Sequence, residues 1–209
     1  MTALVPLNGL FDPQTLLRGW GPWALLGIAA MVFVESGLLF PFLPGDSLLF
    51  VAGLLHKELH VSLPVMVLVA FLAAAGGDTI GYWLGQRFGR RLFSPDARIL
   101  KTAHLLRAEK FFERYGGRSI ILARFVPIVR TFIPLAVGST QYRYPRFLAF
   151  NLIGAAAWTG LMIIGGSLLG GIDFVTKNID LITIAIVAAS LVPVVMQVLK
   201  SRRGAGVEA

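Results

Sequence analysis

The chain has no cysteine, three histidines and few charges for its 209 residues. Without cysteine there is no disulfide, no thiolate nucleophile and no cysteine-ligated metal. His56, His60 and His104 are too scattered for a zinc site, so neither a metal nor a cofactor is expected. Charged residues make up 14% of the chain and hydrophobic ones 56%, against about 25% charged in a soluble domain. So little polar surface argues against a soluble enzyme, a disordered tail or a secreted disulfide scaffold. Residues 1–12 hold no Lys or Arg, and no small-residue cleavage pattern follows the first apolar run; the reading is that no signal peptide is removed. The glycines include no GK[ST] phosphate loop, and no strand precedes them. What the chain has is long apolar stretches and a net charge of +8. In so apolar a chain a basic excess fits cytoplasmic loops better than nucleic acid, and no nucleic-acid partner is expected.

Residues 1–19 read as an N-terminal segment in which Asp12-Pro13 starts a helix. An apolar stretch runs from Trp20 to Val34 and ends at Glu35. The segment at about 36–55 is apolar yet carries Pro41, Pro44, Gly45 and Asp46. Ser62 and Pro64 read as another helix start, and 64–86 is long enough to cross a bilayer at about 20 residues per span. Residues 87–118 hold nine Lys or Arg against three acids. Ser94-Pro95-Asp96 reads as a cap there and Gly116-Gly117 as a stop, giving a basic helix at the membrane surface. The segment 119–138 is apolar but contains Arg124, Pro127, Arg130 and Pro134. Residues 147–169 make a further span, 170–178 a short loop, 179–199 a last transmembrane helix and 200–209 a basic tail.

Charge fixes a topology. Basic loops stay in the cytoplasm, so the tail and residues 141–146 belong inside. Were 119–138 a full crossing, the nine basic residues of 87–118 would lie outside. A segment that enters and returns to the same side removes that conflict. The same logic makes 36–55 re-entrant from the other face. The expected fold is an all-α membrane protein, an inverted repeat with two opposed re-entrant loops plus transmembrane helices. Transporters commonly place their sites where such broken elements meet. The competing reading is that both segments are ordinary kinked spans.

Five ionisable residues lie in or beside apolar segments: Glu35, Asp46, Asp78, Arg124 and Arg130. A central Asp, Lys or Arg costs about 2.5–3.5 kcal/mol to insert and persists mainly when paired or functional. The arginines suit phosphate, because the guanidinium is a planar fork of donors that stays charged. Glu35 and Asp46 suit proton binding, since burial and a nearby guanidinium act on a carboxyl in opposite directions. Structural ion bridges between the loops explain the same residues. Asp78 reads equally as a proton relay or a packing partner. Gly77, Gly81, Gly85 and Gly89 recur every four residues, a smooth face for close helix packing. Asn151, Gly154, Ala155 and Trp158 share another face, read first as packing, with Asn151 a candidate second-layer contact to 119–138.

These residues fall into an ordered pattern: Glu35-x5-Pro41-x2-Pro44-Gly45-Asp46; Gly77-Asp78-x3-Tyr82-x2-Gly85-x3-Gly89; Tyr115-Gly116; Arg124-Phe-x-Pro127-x2-Arg130-Thr-x2-Pro134-x3-Gly138; and Phe147-x3-Asn151-x2-Gly154-Ala155-x2-Trp158. The pattern resembles the DedA family of bacterial membrane proteins, which share the VTT domain with eukaryotic lipid scramblases. It covers roughly residues 20–170, and only the combination is specific. One departure is Ser-Thr-Gln after Gly138, where many members have small residues and then Met. The resemblance implies opposed re-entrant loops, dependence on the proton-motive force and translocation of lipids such as undecaprenyl phosphate. It also implies a multi-pass protein of the bacterial plasma membrane with its C-terminus in the cytoplasm. Functional acids and arginines are carried over to Glu35, Asp46, Arg124 and Arg130, with Pro41, Pro44, Gly45, Pro127 and Pro134 shaping the loops.

The function expected is therefore proton-coupled translocation of an anionic lipid, by a transporter rather than an enzyme. The partners are that lipid, protons and the membrane; self-association into a homo-oligomer stays open. A proton-coupled exporter of small solutes or drugs is the alternative within transport. A membrane lipid phosphatase is the alternative from another class, although neither broken segment offers a His, a Cys or a visible nucleophile–base pair.

Overall fold

Two long apolar helices frame the fold in a computed structural model that describes residues 17, 23–37, 45–92, 102–140, 142–170 and 172. In chain order the helices are α1 (Ala24–Gly37), α2 (Gly45–Leu54), α3 (Leu63–Phe88), α4 (Thr102–Tyr115), α5 (Arg118–Ala123), α6 (Pro127–Gly138) and α7 (Tyr144–Gly170), with a 3-10 turn at Gly89–Leu92. No strand occurs among the described residues. Pro41, Pro44, the caps expected at Asp12 and Ser94, the helix expected at 179–199 and the tail lie outside them.

Helices α3 and α7 have 26 and 27 residues and a mean hydropathy of 1.9. At about 1.5 Å per residue each is roughly 40 Å long, more than the hydrocarbon thickness of about 30 Å. Only 33% and 39% of their most apolar windows are buried. Leu68, Leu72 and Trp83 of α3 and Ile153, Leu161 and Leu168 of α7 are exposed. The core helix of a soluble protein would hide these side chains; a membrane-spanning helix turns them to lipid. α1, α2 and α6, with 14, 10 and 12 residues, are too short to cross a bilayer alone.

The short helices pair crosswise with the long ones. α2 packs mainly on α7, not on α3 which follows it, while α6 packs on α3. Glycines permit both crossings. A Cβ on Gly53 would strike the Ile163 carbonyl, and one on Gly166 the Phe50 carbonyl. Gly85 and Gly138 meet the Leu135 and Tyr82 carbonyls in the same reciprocal way. Such backbone-to-backbone approach is what small-residue faces allow in membranes.

Several local expectations can be compared with this fold. Pro64 lies in the first turn of α3 and Ser62 is its N-cap in extended conformation, although its side chain makes no capping bond. α4 ends at Gly116, whose positive φ of 57° lets its N–H bond back to the Phe112 carbonyl at 2.7 Å. α4 turns Leu105 and Ala108 onto the α6 core and leaves Arg107, Lys110 and Arg114 exposed. The glycine stripe needs correction at its end. Gly77 and Gly81 face α1 and Pro134, but Gly89 lies beyond α3, has φ 53° and has nothing within 4 Å of a Cβ. Pro134 is also corrected: it sits inside α6 instead of breaking it. Pro127 does start a helix, α6. The break in 119–138 falls between the helices, at Arg124–Val126.

Candidate functional site

The five ionisable residues arrive from five directions. Glu35 lies in the last turn of α1 and Asp46 in the first turn of α2. Asp78 is mid-α3, Arg124 caps the end of α5, and Arg130 is in the first turn of α6. They form two ion-pair groups. Arg130 bridges the first broken segment: its Nη1 donates to Asp46 Oδ1 at 2.6 Å and its Nη2 to Glu35 Oε1. Gly45 is required beside them, because a Cβ there would fall on the Glu35 carboxylate.

Arg124 does not join this group, so of the two arginines in 119–138 only Arg130 makes the ion bridges expected between the broken segments. Arg124 Nη2 donates to Asp78 Oδ2 and, at 2.7 Å, to Asn151 Oδ1. Asn151 Nδ2 in turn donates to the Ala75 carbonyl at 3.0 Å, tying α7 to α3. Arg124 Nε is buried without a hydrogen-bond partner and lies 3.2 Å from where a Cβ on Gly154 would be. Glycine at 154 therefore makes room for the arginine stem. Pro127 and Pro134 flank Arg130 in sequence, and Pro134 lacks the N–H that would bond the Arg130 carbonyl.

Trp158 joins the two groups, and sequence reasoning missed that role. Its indole Nε1 donates to Asp46 Oδ1 at 2.9 Å. The Arg130 Cζ lies 4.8 Å from the ring centroid and the Arg124 Cζ 6.0 Å, both within cation–π range. The signal was present in sequence: Trp158 shares a helical face with Asn151, Gly154 and Ala155, where it looked like packing.

Both groups border one cavity, which Glu35, Asp78, Arg124, Arg130, Thr131 and Trp158 help to line. Its volume of about 10 Å³ is that of about one water molecule. A phosphate does not fit while the carboxylates occupy the guanidiniums. Three carboxylates face two guanidiniums, so the fully ionised cluster carries one net negative charge. Burial differs among the partners. The Asp46 side chain is 35% exposed, whereas those of Arg130 and Glu35 are 12% and 6% exposed. Asp46 is the most exposed of the five.

Comparison of the sequence with known proteins places it in a family. Residues 43–168 match the VTT domain, a span that includes Asp46, Asp78, Arg124, Arg130, Asn151 and Trp158. The Mycobacterium tuberculosis (strain ATCC 25618 / H37Rv) protein named uncharacterized membrane protein Rv0364 is 42% identical, over 98% of this chain and 94% of its own. Protein DedA of Escherichia coli (strain K12) is 40% identical, over 91% of this chain and 89% of its own. A Mycobacterium bovis relative, uncharacterized membrane protein Mb2670, is 37% identical over 71% of each chain. No solved structure matches the chain. The chain belongs to the DedA family of VTT-domain membrane proteins.

Proposed function

We propose that the protein is a multi-pass transporter of the bacterial plasma membrane that moves an anionic lipid, such as undecaprenyl phosphate or a phospholipid, across the bilayer with protons. In this reading α2 and the α5–α6 pair are re-entrant from opposite faces, with the C-terminus in the cytoplasm. The observation that carries it is the pairing of Arg130 with Glu35 and Asp46 at a cavity too small for a headgroup. Each guanidinium is a fork suited to a phosphate, and each is held by carboxylates.

Protonation of Asp46 and Glu35 removes the charges that hold Arg130. The freed fork then accepts the phosphate, while Asp78 acts on Arg124 in the same way. Loss of the protons restores the ion pairs and expels the headgroup. The crosswise packing of α2 on α7 and α6 on α3 supports the opposed-loop reading, since each short helix then belongs to the other half. The lipid crosses without chemical change, and no metal or cofactor takes part.

Reconstitution tests the reading. Liposomes holding the protein and labelled undecaprenyl phosphate should move the label between leaflets, faster with an imposed pH gradient. Glu35→Gln and Asp46→Asn should insert normally and lose the gradient dependence, because neutral amides are cheaper to bury. Unchanged transport and pH dependence in both variants would leave the acids structural and refute proton coupling through them.

A further inference from the structure

A second cavity, of about 490 Å³, opens at the far end of α3. It lies between the C-terminal turns of α3, the end of α6 and the start of α7, and Tyr82, Gln86, Ser139, Thr140, Arg143 and Tyr144 are among its lining residues. Among the described residues none of Glu35, Asp46, Arg124 and Arg130 reaches it, and no acidic side chain lines it. Its volume is in the range of small-molecule sites, about 300–1,000 Å³.

The wall is rigid on one side and free on the other. The Tyr82 hydroxyl donates to the Tyr142 carbonyl at 2.6 Å, and its ring stacks on Phe147 at 4.5 Å. The Ser139 and Thr140 hydroxyls donate to their own helix, at the Ala136 and Val137 carbonyls. The Arg143 guanidinium, the Gln86 amide and the Tyr144 hydroxyl make no hydrogen bond or ion pair among the described residues. Arg87 adjoins Gln86 in sequence, and Arg146 follows Arg143 by three positions. The free donors are thus cationic or neutral, and they suit an anion.

The surroundings identify which anion. Trp83, 62% exposed, stands edge-on to Tyr144 with ring centroids 6.5 Å apart. An exposed Trp against a half-buried Tyr, beside arginines at the end of a spanning helix, marks the headgroup level of a bilayer. Exposed Ile80, on the midplane side of Trp83, offers apolar surface to an acyl chain. Basic pockets between membrane helices bind lipid headgroups. We propose that this cavity binds the phosphate headgroup of an anionic phospholipid from the adjacent leaflet, with Arg143 as its cationic contact. Of its lining residues on α3, Tyr82 lies about 6 Å and Gln86 about 12 Å along the axis from Asp78. The site rests on the reading that α3 spans the membrane, not on transport.

The test is quenching of Trp83 by brominated lipids in proteoliposomes, with the Trp83 signal taken as wild type minus Trp83→Phe. Brominated phosphatidylglycerol should bind about fivefold more tightly than brominated phosphatidylcholine, the effect of about one basic side chain near a membrane surface. Arg143→Gln should reduce that ratio to about one, leaving quenching by phosphatidylcholine unchanged. Equal quenching by both lipids in the wild type, or a ratio unaffected by Arg143→Gln, overturns the site. If millimolar inorganic phosphate abolishes the preference, the cavity takes a free anion and the headgroup assignment is overturned. Quenching by neither lipid overturns the spanning reading of α3 and the site with it, whereas absence of transport touches neither. Native mass spectrometry of the detergent-purified wild type provides a check that needs no tryptophan variant. A retained phosphatidylglycerol that is lost in Arg143→Gln supports the site, and equal retention by the two proteins overturns it.

Discussion

Truncation of Asp78 to alanine should be among the most destabilising single changes in the protein. The Arg124 and Asp78 side chains are 6% and 9% exposed, so solvent screens the pair little. Asp78→Ala leaves the guanidinium with the 2.7 Å bond to Asn151 Oδ1, while Nε already lacks a partner. Removing one partner of a buried ion pair costs about 3–5 kcal/mol, because the other charge stays buried and unpaired. At roughly 2–4 °C per kcal/mol for a chain of this size, the melting temperature should fall by roughly 6–20 °C. Removing both partners behaves differently. Arg124→Met keeps an unbranched stem against Gly154, and an apolar replacement for a buried pair is often neutral. The double variant Asp78→Ala/Arg124→Met should recover most of the loss. Fluorescence-detected size-exclusion melts of the four proteins in one detergent form the complete cycle. A loss under about 2 °C for Asp78→Ala, or losses that simply add in the double variant, would refute the buried-pair argument, since additivity is what uncoupled sites give.

Three further outcomes follow from the packing and topology. Gly85→Ala and Gly138→Ala should each cost about 1–3 kcal/mol, the usual penalty of overpacking, because their methyl groups meet backbone carbonyls; Gly160→Ala, with nothing within 4 Å of its Cβ, should melt like the wild type. Trp158→Phe keeps a ring over Arg130 but loses the N–H to Asp46, so it should retain partial transport, while Trp158→Leu loses both contacts and should be inactive in the same flux assay. Single cysteines at the exposed positions 107 and 143 should label from the cytoplasm and one at 57 from outside, against a background free of native cysteine; labelling of 107 and 143 from opposite faces contradicts the re-entrant reading of α5–α6.

The parts legible in the sequence were those where a local cost is high. A charge in an apolar run is expensive, which marked Glu35, Asp46, Asp78, Arg124 and Arg130. Length and hydropathy marked α3 and α7. Partner choice was not legible, because Arg124 meets Asp78 across 46 positions and Arg130 meets Glu35 across 95. A single sequence carries no record of that pairing. Pro134 was expected to interrupt a helix but sits inside α6, and Gly81 makes room for its ring against α3. Trp158 was hidden by the small residues on its face. Only the position of the indole N–H, 2.9 Å from Asp46, separates its role from packing.

The central claim is that the arginines hold a phosphate, and lysine substitution tests it most directly. Lysine keeps the positive charge but loses the planar two-donor fork. If Arg124 and Arg130 only neutralise Asp78, Asp46 and Glu35, then Arg124→Lys and Arg130→Lys should keep much of the activity. If they clamp a phosphate, both variants should insert and fold yet fail to move labelled undecaprenyl phosphate across proteoliposomes under a pH gradient. The account expects both to be inactive. Near-normal lipid movement by the two lysine variants would contradict the clamp and favour proton-coupled export of a small solute.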